Sequence, residues 1–219
     1  MKSIILSTCL ALFLLGCGEN KTAKEEVKNT DSTAKAKDTM AAVTPPAAPM
    51  DSAAMMKAWN DYMTPGAMHA MIAKCNGTFN AAVTVWMAPG APPQTNTAKT
   101  TNKMILGGRY QESHSVGSFG GMPFEGYSTL AYDNMKKIFQ STWIDNMGSG
   151  IMYMEGTWDS TAHAANFKGK FTDPMTGKDT EAREIFTITS SDEQKMEMFV
   201  TPQGSKEYKS MEITYKRSK

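Results

Sequence analysis

The strongest constraint on the fold of this chain is a series of short segments in which apolar and polar residues alternate. The first segment spans residues 78–87, and its apolar side chains share one side of a strand: Phe79, Ala81, Val83, Val85 and Met87. Further segments of this kind occupy residues 99–106, 109–116, 124–133, 137–144, 151–158, 164–171, 180–188, 195–201 and 206–215. Because side chains of a strand point alternately to its two faces, each segment predicts a half-buried strand.

Turn-forming sequences separate these strands: Gly107-Gly108, Gly120-Gly121, Gly148-Ser149-Gly150, Asp173-Pro174-Met175-Thr176-Gly177 and Pro202-Gln203-Gly204-Ser205. No helical pattern lies between them, which argues against a parallel α/β sheet. A meandering sheet of about ten strands has to curl, and closure removes its edges. We therefore predict a mainly β fold, an antiparallel up-and-down barrel or half-barrel of lipocalin type, with room inside for side chains or one small ligand.

Two short helices are predicted before the first strand. Large apolar residues recur every three or four positions after Asp51-Ser52, a capping sequence. Thr64-Pro65-Gly66 ends the first helix, and residues 67–74 form the second. We expect both helices to cap the barrel, with these residues packed on one rim: Met55, Trp59, Met63, Met68 and Met71.

The first residues predict export and a lipid anchor. Lys2 precedes an apolar run that ends at Leu14-Leu15-Gly16-Cys17, the pattern of a bacterial lipoprotein signal. The run is too short to span a bilayer as a mature helix, so we predict a signal peptide over residues 1–17 and acylation of Cys17, palmitate included. Gly18 after the cysteine favours the outer membrane of the bacterial envelope, and the side that the protein faces stays open.

Residues 18–50 are rich in Lys, Glu, Thr, Ala and Pro, a composition that predicts a disordered tether. Residues 51–219 are enough for a single β-barrel domain. Removal of the signal leaves Cys75 as the one cysteine that is not acylated, so no disulfide forms within the domain, and we expect Cys75 to be a buried apolar side chain. The formal net charge of +1, without a basic stripe, argues against a nucleic-acid partner.

Several motifs appear in the order of a known bacterial family: Gly77-Thr78-Phe79, Trp86-Met87-x-Pro89-Gly90, Leu106-Gly107-Gly108-Arg109-Tyr110, Gly121-Met122-Pro123-Phe124-Glu125-Gly126, Tyr132-Asp133-Asn134, Thr142-Trp143-Ile144-Asp145, Glu155-Gly156, Asp173-Pro174-x-Thr176-Gly177, Arg183-Glu184 and Met211-Glu212-Ile213. Over residues 64–217 the chain resembles domain-of-unknown-function family 1579, whose members are often lipoproteins. The chain has Phe79 where the family more often has Trp. The resemblance implies the barrel and leaves the function open.

A set of polar and aromatic residues lies among the apolar runs: Arg109, Glu125, Tyr132, Asp133, Trp143, Asp145 and Arg183. Charges on an inner wall are costly unless they are paired, so these residues either face solvent and form turns or line a cavity as paired networks. We treat them as candidate ligand-binding residues. On a strand, Trp143 and Asp145 share one face, opposite Thr142 and Ile144.

A structural brace is also predicted by resemblance to lipocalins. Gly77-Thr78-Phe79 opens the first strand, and Lys216 or Arg217 near the end of the last strand would stack on the Phe79 ring.

Cofactor and metal patterns are weak. His69, His114 and His163 lack the spacing of a zinc site, so we predict no metal and no cofactor. The chain has 19 methionines, and the pairs Met152-x-Met154 and Met196-x-Met198 each share one strand face. We interpret them as adaptable filling of a core or pocket, and Cu(I) binding is the alternative.

These patterns favour a membrane-anchored module that binds a small apolar or amphipathic molecule without catalysis, with membrane lipid engaged through Cys17. An envelope hydrolase or isomerase is a second hypothesis, and it requires Asp133, Asp145 or Glu125 to converge with Arg109 in one cleft. A structural or interaction lipoprotein with a packed barrel is the third. The sequence names neither the ligand nor the oligomeric state.

Overall fold

A computed structural model describes residues 51–219 of the chain. The predicted signal peptide, the acylation site Cys17 and the tether of residues 18–50 lie outside the described residues. Two helices come first, α1 (Ser52–Met63) and α2 (Ala67–Ala73). The strands that follow are β1 (Gly77–Val85), β2 (Gln94–Ile105), β3 (Tyr110–Phe119), β4 (Met122–Asp133), β5 (Ile138–Asp145), β6 (Met152–Asp159), β7 (Ala164–Asp173), β8 (Lys178–Ile188), β9 (Glu193–Thr201) and β10 (Tyr208–Arg217).

The strands form a closed barrel in which each strand pairs antiparallel with its neighbours in sequence. Pairing of β1 with β10 completes the closure, from Phe79 opposite Arg217 to Val85 opposite Met211. The predicted mainly β fold is therefore confirmed, as a closed barrel rather than a half-barrel. Neither helix in the described part of the chain is long and apolar enough to cross a membrane.

The strand register defines which side chains face the interior. Phe139, Met154 and Phe167 belong to one buried cluster, and each is paired with a residue of the next strand. Directly opposed residues of paired strands share a face, so the inner face can be followed from strand to strand around the barrel. It runs through alternate residues of every strand, which is the arrangement that the period of two predicts.

Helix α2 closes one end of the barrel. Ile72 is 2% exposed within the buried cluster, and Met68 and Met71 pack against that cluster. The side-chain amide of Gln111 donates hydrogen bonds to the Ile72 carbonyl at 2.9 Å and to the Asn76 side chain at 3.0 Å. These contacts hold the helix in the barrel end, and we call this region, with Phe79, Phe139 and Arg217, the closed end.

Cys75 follows α2 at the closed end and is buried, as predicted. Burial raises the pKa of its thiol to about 11, so the group stays protonated and unreactive near neutral pH.

Helix α1 does not pack as predicted. Met55, Trp59 and Met63 are 49%, 55% and 44% exposed, so the expectation of one rim shared by both helices is wrong for α1. The helix ends at Met63, and the next residue, Thr64, has the extended backbone conformation that a following proline favours. The chain changes direction there, and only α2 enters the barrel.

The brace at the closed end is formed by Arg217 rather than Lys216. The guanidinium carbon of Arg217 lies 4.6 Å from the centroid of the Phe79 ring, and Nη1 donates to the Asn76 carbonyl at 2.6 Å. A further bond joins Nε to Asp192 at 2.9 Å. Gly77 has φ +121°, and a Cβ there would overlap Nη1 of Arg217, which explains why glycine opens the strand.

Candidate functional site

Beyond the closed end, the barrel is lined by several side chains that are less buried than the core clusters. Inward-facing residues there are only half-buried although they point away from the outer surface: Val83, Ser113, Ser128, Ser141, Trp143, Met152, Glu184, Phe186, Met211 and Ile213. Because a closed sheet separates these side chains from the solvent outside, their exposed area faces the interior. We call this region the distal lumen. Serines occupy several of its inward positions.

One wall of the distal lumen is formed by methionine and aromatic side chains. Met196, Met198 and Val200 of β9 form a buried cluster. Partly buried residues pack on it: Met152, Phe171, Phe186, Tyr208, Met211, Ile213 and Tyr215. Thioethers and rings of this kind adapt to apolar groups of varied shape, so the wall suits an apolar ligand.

A carboxylate lies in this apolar wall. Glu184 of β8 is opposite Phe167 of β7 and Met198 of β9, which are both core residues, so its side chain faces the interior. No hydrogen bond or ion pair joins the Glu184 carboxylate to another of residues 51–219. Burial raises the pKa of Glu184 to about 7, which is the shift expected where solvation is lost and no charge compensates.

Tyr215 lies near Glu184 on the same wall. Its ring centroid is 6.3 Å from that of Phe186, the next inward-facing residue after Glu184 on β8. Burial raises the pKa of the Tyr215 hydroxyl, and the negative charge of Glu184 raises it further. The two groups are therefore close enough to interact electrostatically within the interior.

Trp143 and Asp145 of β5 share one face, as the alternation predicts, and the strand register makes it the inner face. The Trp143 indole N–H donates to Asp145 Oδ2 at 2.7 Å, and Asp145 Oδ1 accepts from the Met147 amide at 2.9 Å. Gly126 makes room for the indole, because a Cβ at this position would overlap the Trp143 ring. The pair is thus a paired polar network on the inner wall, one of the two arrangements that the sequence left open.

Tyr132 also faces inward, at the closed end. Its ring packs edge-on against His69 of α2, with 5.9 Å between centroids, and against Phe139, with 4.9 Å between centroids. His69 in turn accepts a hydrogen bond from the Gly66 amide at 3.0 Å, and burial is the main reason why its pKa is lowered. These aromatic contacts attach α2 to the barrel.

Asp133 and Arg109 lie in turns at the end of the barrel where α2 sits. Asp133 Oδ1 accepts the backbone amides of Met135 at 2.8 Å and Lys136 at 2.9 Å, and the bond from Lys136 is the main reason why the pKa of Asp133 is lowered. Arg109 donates to the Leu106 carbonyl at 3.0 Å. Both side chains stabilise the local turn conformation.

Glu125 and Arg183 lie on the outer wall of the barrel. Glu125 accepts hydrogen bonds from Tyr127 at 3.0 Å and pairs with His114 at 2.8 Å, and these contacts, led by His114, lower its pKa. Arg183 forms two hydrogen bonds with Glu207, at 3.1 and 2.8 Å.

The candidate residues of the enzyme hypothesis therefore do not share a cleft. Asp133 and Arg109 belong to turns near α2, Asp145 lies inside near the opposite end of its strand, and Glu125 is outside. General acid–base chemistry needs groups that reach one substrate atom, and these four residues are separated by the barrel wall and its length.

Sequence reasoning chose Arg183 and missed its neighbour Glu184. The signal was present, because Ala182, Glu184 and Phe186 are alternate residues of one strand and two of them are apolar. Ile185 on the opposite face concealed it, since an apolar residue there makes both faces of β8 look buried. Arg183, which forms the outer ion pair, and Glu184, the inner carboxylate, are adjacent in sequence and therefore point to opposite faces of β8.

Metal binding finds no support among residues 51–219, where no three His, Cys, Asp or Glu side chains are grouped to hold an ion. A depression of about 620 Å³ on the outer wall is lined by residues of several strands, among them Asn80, Ala82, Lys99, Val116 and Lys216. It is open to solvent and lacks the enclosure that buries most of a small ligand.

Comparison with known proteins identifies a family and a fold. A family model described as "Protein of unknown function (DUF1579)" matches residues 64–217. No curated protein matches the chain. Among solved structures, Rv2717c from M. tuberculosis is 11% identical with a TM-score of 0.55, covering 71% of this chain and 100% of its own. A redesigned beta barrel, b11L5F_LGL, is 13% identical with a TM-score of 0.36, covering 68% of this chain and 95% of its own. At 11% identity, the likeness to Rv2717c concerns the fold alone.

Proposed function

This chain belongs to the DUF1579 family, as its motifs predict, and from that premise we propose that it is a non-catalytic binding module that holds a small apolar or amphipathic molecule in the distal lumen. The family is described as one of unknown function, so the proposal is supported by the geometry of the barrel and not by a known activity of its relatives.

One observation carries this proposal. At the closed end Phe79 and Phe139 are 0% and 1% exposed, whereas inward-facing Trp143, Met152 and Ile213 in the distal lumen are only half-buried. A barrel whose sole role was structural would gain stability by burying these side chains fully, because each apolar Å² removed from water contributes about 25 cal/mol. A bound apolar molecule would supply the missing contacts.

The position of α2 supports the same proposal. The helix closes one end of the barrel, where the Gln111 amide donates to the Ile72 carbonyl and apolar side chains of α2 pack on the core, so a molecule in the distal lumen would be enclosed at that end. Small-molecule sites typically combine such an enclosed apolar wall with a few polar groups that orient the ligand. Trp143 and Asp145, with Glu184, supply those polar groups here.

We further propose that the module is anchored in the bacterial outer membrane through acylated Cys17, which the signal sequence of residues 1–17 supports. When the full chain is expressed in a bacterium supplied with labelled palmitate, the protein should incorporate the label and be recovered in the membrane fraction. A Cys17→Ser variant that still incorporates the label would contradict the anchor.

The test of the lumen uses 1-dodecanol, a neutral apolar chain with one hydroxyl, as the probe. Ser113→Phe places a ring in the distal lumen next to other small residues, and Ser118→Phe places the same ring on the outer face of the same strand. We expect the full chain and Ser118→Phe to bind dodecanol, and Ser113→Phe to bind it at least about tenfold more weakly. Equal binding by both variants would mean that the probe lies outside the barrel.

A further inference from the structure

We infer that Glu184 and the aromatic rings beside it form an amine-binding subsite, so that the ligand of the lumen is a cationic amphiphile: an apolar chain or ring system that ends in a protonated amine. This inference rests on the proposed function, because it names the chemical class of the molecule that the lumen would hold.

The position of Glu184 is the first argument. It lies halfway along β8, where the buried cluster around Phe167 and Ala182 meets the methionine cluster that contains Met198. Its inward neighbours are thus apolar, and within residues 51–219 its carboxylate has no hydrogen-bonding partner. An ionised carboxyl in such surroundings is destabilising unless it is paired with a cation. A bound ammonium group would therefore offset the desolvation energy of the Glu184 carboxylate.

The distribution of charge in the barrel is the second argument. The lysines of β7 to β10 lie on the outer face, where several of them pair with glutamates, as Lys170 does with Glu181 and Lys209 with Glu212. Among residues 51–219 the inward-facing cation is Arg217, which is engaged with Asp192 at the closed end. The charges left for a ligand are therefore negative, Glu184 and Asp145, and they complement a cationic head group and repel a carboxylate.

The rings around Glu184 are the third argument. Phe186 is the next inward residue on the same strand, Phe167 lies opposite Glu184 on β7, and Tyr215 lies on β10. An ammonium group beside a carboxylate and aromatic faces gains cation–π attraction as well as ion pairing. The amine would therefore lie at mid-depth, with its apolar part directed along the methionine-lined wall.

The subsite links binding to a proton. Of the residues that face Glu184 from β7, β9 and β10, Phe167 and Met198 do not titrate and Tyr215 stays protonated because its pKa is raised. The pKa of Glu184 itself is raised to about 7, so at lower pH the carboxyl is protonated before binding and must release its proton to water before it can pair with an ammonium ion. Affinity for an alkylamine should therefore increase between about pH 5.5 and about pH 8, since the amine stays charged throughout.

The experiment compares dodecylamine, 1-dodecanol and dodecanoate, each below its micelle concentration, by calorimetric titration of the full chain at about pH 8. We expect dodecylamine to bind at least about tenfold more tightly than dodecanol, and dodecanoate to bind most weakly. Glu184→Gln should abolish the preference for the amine. Glu181→Gln removes an outward carboxylate from the same strand and should leave the preference unchanged, which controls for adsorption to the outer surface.

The outcomes separate this inference from the proposed function. If dodecanol binds inside the barrel and dodecylamine binds no more tightly, or if Glu184→Gln keeps the preference, the amine subsite is wrong and the binding module stands. If none of the three probes binds, the proposed function fails and the inference fails with it. Should Glu184→Gln not fold, the pH series on the unmodified chain decides, because an amine affinity that is flat or falls with rising pH overturns the subsite.

Discussion

The closed end and the distal lumen belong to one barrel and are built in opposite ways. At the closed end, Phe139 is 1% exposed, and Gln111 and Arg217 satisfy backbone carbonyls of the segment around α2. In the distal lumen, inward side chains such as Trp143 and Ile213 are half-buried, and Glu184 has no partner among residues 51–219. The difference teaches that the rings beside α2 are the most completely enclosed part of the core, whereas the side chains around Glu184 keep accessible surface and an uncompensated charge for a ligand.

The largest effect should come from truncating a side chain at each end. Phe139→Ala removes a fully buried ring at the closed end and should lower the free energy of unfolding by about 3–5 kcal/mol. Ile213→Ala in the distal lumen should cost less, about 1–2 kcal/mol, because part of the side chain is already exposed to the interior. Urea unfolding of both variants measures the difference.

The two variants should show the reverse order in their loss of affinity for the ligand. Folded Phe139→Ala protein should keep its affinity for dodecanol, whereas Ile213→Ala should weaken it. Equal losses of stability in the two variants would remove the contrast between the two regions on which the functional argument depends.

A smaller effect should appear in the pH dependence of stability. The pKa of Glu184 is raised to about 7 in the folded chain from its ordinary value of 4.5, so the folded state binds the proton more tightly. The resulting stabilisation is complete below pH 4.5 and is lost as pH rises through about 7. It amounts to about 2–3 kcal/mol, because each unit between the two pKa values corresponds to about 1.4 kcal/mol.

Urea unfolding at about pH 5 and about pH 8 tests this linkage. The native chain should lose more stability between the two pH values than Glu184→Gln does, while the outward Glu181→Gln should follow the native chain. An identical pH dependence in the native chain and Glu184→Gln would show that Glu184 is solvated as in an unfolded chain, and the contrast between the two ends would weaken.

The smallest effect should come from α1, which belongs to neither region. Trp59→Ala removes a side chain that is 55% exposed, so the free energy of unfolding should change by no more than about 0.5 kcal/mol, and the melting temperature should shift only slightly. Ile72→Ala in α2 should lower it clearly, because Ile72 is 2% exposed. A comparable loss in the two variants would mean that α1 helps to close the barrel after all.

Much of the fold could be predicted because its signals are local. The alternation in residues such as Phe79, Ala81 and Val83 defines a strand and its inner face, and Gly120-Gly121 defines a hairpin turn. The sequence predicted that either Lys216 or Arg217 stacks on the Phe79 ring. Only the pairing of the first and last strands, which sets Phe79 opposite Arg217, selects Arg217.

The candidate site was less predictable. Trp143 and Asp145 were placed on one face correctly, since their spacing alone decides it. Arg109, Asp133 and Glu125 were grouped because they are charged residues near apolar runs, yet a turn or the outer face satisfies each of them. Glu184 was missed because both faces of β8 carry apolar residues, so only the pairing with Phe167 and Met198 reveals which face is inner.

The amino-acid sequence by itself determined the ten antiparallel strands, the turns between them and the family, because strand periodicity and turn chemistry act over a few neighbouring residues. Only the tertiary structure decided that the sheet closes completely, that α2 alone enters the barrel, and that Glu184 faces the interior without a hydrogen-bonding partner among residues 51–219. Those outcomes depend on residues far apart in the chain, whose relative burial and charge become defined when β1 meets β10.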